Sequence, residues 1–68
     1  MVENRENRSP LTFGEIVRTL KADITLNIYE LTYKLNCSDG VIYRRIVESE
    51  TGIRGLSGLK QAIREGRI

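Results

Sequence analysis

Apolar residues recur at helical spacing along most of the chain, and the polar residues between these runs carry signals that start and stop helices. Phe13, Ile16, Val17 and Leu20 fall on one face of a 3.6-residue period. Thr12 and Glu15, three apart at the head of that run, form a capping box, in which the hydroxyl covers one free amide and the carboxylate reaches back to another. A helix to about Ala22 is predicted. Ile28, Leu31 and Leu35 make the next stripe, behind a second box of Asn27 and Glu30. Asn36 tolerates the left-handed conformation found just past a helix end, and Ser38 caps the next helix. Ile42 and Ile46 form the inward stripe of that helix, which runs to about Glu48, with Cys37 predicted to be buried in the corner beneath them. The nineteen residues from Ile28 to Ile46 thus read as two short helices joined by a tight turn.

The flanks are less patterned. Met1 to Pro10 alternates Glu with Arg and has no apolar face, which predicts a flexible tail over residues 1–10 and a domain over 11–68. Within it the charges of Arg5 and Arg8 are cancelled by Glu3 and Glu6. Asp23 to Leu26 reads as a connector, with a short strand as the alternative. Tyr29 and Tyr33, four apart and off the apolar stripe, either pack on the first helix or stay half exposed, with core or boundary packing the favoured reading. Gly52-Ile53-Arg54-Gly55 forms either a tight loop or the tip of a small wing; no alternating apolar strands flank it, which favours the loop. Ser57 reads as the cap of a last helix ending near Gly66, with Leu59, Ala62 and Ile63 facing inward and Leu56 packing where it begins. The fold class is all-α, a small domain of three to four helices.

The segment Glu30-Leu31-Thr32-Tyr33-Lys34-Leu35-Asn36-Cys37-Ser38-Asp39-Gly40-Val41-Ile42-Tyr43-Arg44-Arg45-Ile46 resembles the helix-turn-helix of bacterial, archaeal and phage transcription regulators, whose common form runs E-L-A-x-x-L-G-V-S-x-x-T-V-Y-R-x-I. Thr32 replaces the usual Ala, Asn36 the Gly and Cys37 the Val. Each is physically tolerable: Thr is small, Asn comes after Gly in left-handed tolerance, and a free Cys acts as a small apolar side chain. Gly40 in the first turn of the second helix is the least comfortable departure, at roughly 1 kcal/mol against Ala. The resemblance covers under a third of the chain.

It implies that the second helix enters the major groove of double-stranded DNA and reads base edges from its outer side. Arg44 then matches the two acceptors of guanine, and Tyr43 meets phosphate or a thymine methyl. Ser38 contacts phosphate, Gly40 allows close approach, and Val47 completes the outer side. Asp39 suits a cytosine amino group or simply favours the helix dipole. Arg45, nearer the flank, is assigned to phosphate, and Arg54 to phosphate or the minor groove if a wing forms.

Charge sharpens this picture modestly. The net charge is only +2, yet five basic residues face six acidic ones through position 40, whereas six basic face three acidic beyond it. The excess starts at the proposed recognition helix, although a solvated basic face is its commoner cause. A chain of 68 residues supports a single small core, which oligomerisation would assist; residues 56–65 are the expected homodimer contact.

With no His, one Cys and no Gly-rich phosphate loop, neither a catalytic constellation nor a zinc site is expected; no cofactor or small-molecule ligand is implied, and the protein is read as no enzyme. The lone Cys and the lack of a signal peptide or membrane-length apolar run suggest a reducing, cytoplasmic setting without a membrane partner. The leading expectation is a sequence-specific DNA-binding regulator or repressor of phage or prokaryotic type. The alternatives are a protein-interaction module, using the tyrosine side or the last helix, and a DNA-architectural or recombination accessory factor.

Overall fold

The computed structural model describes residues 11–68; the expected tail over residues 1–10 lies outside the described residues. Four α-helices succeed one another: α1 (Phe13–Ala22), α2 (Ile28–Leu35), α3 (Asp39–Glu48) and α4 (Gly55–Arg64). No strand occurs among the described residues, so 49–54 form a loop and not a wing, and 23–27 form a connector.

The first three helices begin where their capping residues stand. Thr12 and Glu15 bond reciprocally across the start of α1, each at 3.2 Å. Asn27 and Glu30 do the same for α2, at 2.8 and 2.9 Å. Ser38 Oγ accepts the Val41 amide at 3.3 Å to open α3. Helix α2 closes on Asn36, left-handed at φ 55° and ψ 52°, and the Cys37 amide returns to the Thr32 carbonyl at 3.1 Å. The same carbonyl also accepts the Asn36 amide, and the added six-to-one bond turns the chain sharply into α3.

Helix α4 departs from its expected start. It opens at Gly55, two residues before Ser57, the expected cap, with Arg54 in the capping position and no side-chain cap bond. Gly55 adopts φ 67°, a conformation costly for other residues, and this lets the helix begin directly out of the loop. Ser57 is an exposed residue of the first turn.

Helices α1 and α3 each pack on all three others, so these two share the centre of the contacts. The core comprises Ile16, Leu20, Leu26, Leu31, Ile42, Ile46, Leu59 and Ala62, and no polar or charged residue is buried among those described. Each helix contributes from the stripe its period predicts. Leu26 is an addition: the residue read only as connector is buried, because a turn at Asp23 folds it under the cluster. In that turn Asp23 Oδ1 accepts from the Thr25 hydroxyl at 2.6 Å and from its amide at 3.1 Å. Tyr29 and Tyr33 are corrections in the other direction. They are 79% and 89% exposed, since α2 buries only Leu31 completely and rolls both rings away from the other helices.

Candidate nucleic-acid interface

Helix α3 presents its two sides in a regular way. Ile42 and Ile46 point into the core, while Gly40, Tyr43, Arg44 and Val47 recur at i, i+3, i+4 and i+7 on the opposite side, and all four are exposed. Tyr43 keeps 39% of its surface in water and Val47 72%. Ser38 and the exposed Asp39 stand at the N-terminal end of the same helix. The Ser38 oxygen accepts one amide and its hydroxyl hydrogen remains free to donate to an anion. A Cβ at Gly40 would approach only Ser38 Oγ, at 3.9 Å, so this glycine leaves the surface low without being required by crowding. Arg44 makes no hydrogen bond or ion pair with any described residue.

Arg45 behaves differently from its neighbour. Its Nε donates to the Leu11 carbonyl and its Nη1 to Glu48 Oε1, both at 2.8 Å, and its side chain is only 26% exposed. The guanidinium expected on phosphate ties α3 to the chain ahead of α1. One hundred degrees per residue places position 45 between the inner and outer sides, where a long side chain reaches across to a neighbouring segment. Sequence spacing could locate Arg45 on the flank, but the carbonyl it binds belongs to a residue 34 positions away. Arg54 is exposed at the start of α4, on the loop and off α3.

Cys37, expected to be buried, is half-buried against the core, and the desolvation of its thiolate pushes the thiol pKa up. That shift opposes use as a nucleophile at neutral pH. Among the described residues no group of His, Cys, Asp and Glu is arranged to hold a metal ion, and no helix is long and apolar enough to cross a membrane.

A second surface lies on the tyrosine side of α2, away from the residues expected to meet DNA. Leu26, Tyr29, Glu30, Tyr33 and Lys34 line an open groove of about 330 Å³ on the outer side of α2. The sequence signal for it is the tyrosine pair at i, i+4 off the apolar stripe, a pattern that favours boundary packing and does not by itself reveal an exposed face.

No protein-family model, curated protein or solved structure matches the chain.

Proposed function

We propose that this protein is a sequence-specific double-stranded DNA-binding protein, a small transcriptional regulator of repressor type that inserts α3 in the major groove. The observation that carries the proposal is the exposed stripe of Gly40, Tyr43, Arg44 and Val47 on a helix held by a capped, left-handed turn against α2. Two features make such a stripe suitable. The helix is anchored on its other side by residues with no exposure to lose, Ile42 at 0% and Ile46 at 1%, so its outer side chains are presented from a rigid support. Its start offers free backbone amides and a Ser38 hydroxyl for a phosphate, which would set register while Arg44 reads a guanine. Asp39 works against close phosphate approach and would select a cytosine amino group if it meets a base. Arg45, already held within the protein, keeps α3 in place without contacting DNA. If the protein acts as a twofold dimer, half-site centres lie about 34 Å apart.

Selection of bound duplexes from a random pool, followed by titration over a range of salt, tests the proposal. The expected result is a consensus site, affinity that falls as salt rises, and a loss of about 5- to 100-fold on that site for Arg44→Ala. Equal affinity for selected and random duplexes, or indifference to salt, would remove it. The tyrosine groove on α2 favours a second activity, binding of protein, which is compatible with the first because it occupies another helix.

A further inference from the structure

We infer that the outer face of α2 is a homodimer interface, in which two copies of the chain pair α2 with α2 in antiparallel fashion about a twofold axis near residues 31–32. The inference does not depend on DNA binding.

Tyr29 and Tyr33 are the most exposed large apolar side chains of the described residues, at 79% and 89%, and they flank a groove floored by the buried Leu26. Glu30 and Lys34 edge the same groove, one helical turn apart. They are not paired with each other: the ion pairs among the described residues are Arg45–Glu48 and Arg67–Glu65. Glu30 Oε1 accepts the Asn27 amide, which leaves the other carboxylate oxygen to accept from an ammonium.

A patch with one negative and one positive end is complementary to itself under a twofold rotation, because in an isologous contact residue i meets j and j meets i. Antiparallel pairing therefore sets Glu30 against the partner's Lys34 twice, and Tyr29 against the partner's Tyr33 twice. The charges balance within each copy. A duplex, which needs a positive face, and a strongly acidic or basic peptide are matched less well.

The expected contact at residues 56–65 fits poorly by comparison. Leu59 and Ala62 are spent in the core of their own chain, and the outer side of α4 shows Ser57, Gln61 and Arg64. Four tyrosine rings supply on the order of 600 Å² of buried surface. A standard stable interface buries roughly 1,600 Å², so the contact belongs to the weak, concentration-dependent class.

Sedimentation equilibrium of the full chain from about 1 μM to 1 mM, at low and high salt, tests this directly. Wild type is expected to pass from monomer to dimer with rising concentration, and less readily in salt. Tyr29→Ala combined with Tyr33→Ala, and Lys34→Glu alone, are each expected to weaken the dimer at least about tenfold. Glu30→Gln keeps the helix cap, because Gln serves in the box as Glu does, and is expected to weaken it by a smaller factor. Circular dichroism verifies that each variant remains helical; the exposed tyrosines carry no core packing, so the double alanine variant is the safeguard against misfolding. Arg64→Glu on α4 is expected to leave the dimer unchanged. A wild type that stays monomeric at 1 mM overturns the inference, as does a dimer that ignores the α2 variants or is broken by Arg64→Glu. Dimerisation of this kind without duplex binding would leave the interface standing and remove the DNA proposal; duplex binding by a chain that stays monomeric would do the reverse.

Discussion

The outer faces of α2 and α3 make an instructive pair. Both helices open at a side-chain cap and both bury an aliphatic stripe in one core, Leu31 from α2 and Ile42 with Ile46 from α3. Their exposed sides nevertheless differ in kind. On α2 two tyrosines stand beside one acidic and one basic residue, an apolar and electrically balanced surface. On α3 a single tyrosine, a valine and a glycine surround Arg44 and leave its guanidinium in water. Burial constrains the inward stripe because every missing methylene is felt there, while the outward stripe is free to take whatever an external partner requires. The fold therefore explains why the helices sit together, and only the outer residues separate the surface proposed to meet another copy of the chain from the one proposed to meet a duplex.

The strongest way to break this contrast is to show that the inner and outer positions are energetically alike. Leu31→Ala and Ile42→Ala, both at fully buried positions, are each expected to cost about 2–5 kcal/mol in urea denaturation, through lost burial and the cavity left behind. At a protein concentration low enough to exclude pairing, Tyr33→Ala should fall within about 0.5 kcal/mol of wild type. A comparable loss for Tyr33→Ala would mean that the α2 face is structural.

A smaller effect distinguishes the two adjacent arginines of α3. Arg45→Ala removes bonds to the Leu11 carbonyl and to Glu48, a loss of about 1 kcal/mol once solvent screening of this partly exposed group is allowed for. Arg44→Ala is expected to leave stability within about 0.5 kcal/mol while affecting duplex binding. Equal destabilisation by both would erase the division between strut and proposed reader.

The smallest expected effect lies in the turn leading to α2. The Asp23 carboxyl is held below its ordinary value of 3.8, first by the Thr25 hydroxyl, then by the Thr25 amide, with weaker help from the charges of Lys34 and Lys60. A depressed folded-state pKa means that the turn's contribution is present above the unfolded value and is lost as pH falls through the folded one. Thr25→Val should raise the Asp23 pKa in an NMR titration of the carboxyl carbon, and Lys34→Glu should raise it by less. No movement in the first variant would dissociate the turn from its hydrogen bond.

Much of this architecture can be read along the chain because it is local. Thr12 with Glu15 and Asn27 with Glu30 specify helix starts by bonds that span three residues, and Asn36 specifies a helix end through its own backbone preference. The inward positions Ile16, Leu20, Leu31, Ile42, Ile46, Leu59 and Ala62 derive from helical period alone. The start of α4 does not, because Ser57 has the chemistry of a cap while the actual start depends on a left-handed glycine. Of the candidate interface, the outer stripe of α3 is legible by the same period that places its inner one.

What the linear chain determined, then, is where most helices begin and end and which side of each is apolar, since both depend on interactions within one or two turns. Tertiary structure decided the rest. It buried Leu26 from a connector, exposed Tyr29 and Tyr33 around a groove, and drew Arg45 to the carbonyl of Leu11. These outcomes depend on how far α2 rolls against the core and on which distant backbone lies within reach of a long side chain. Helical period specifies the direction of a side chain from its own axis, but the neighbour waiting in that direction is supplied by another part of the chain.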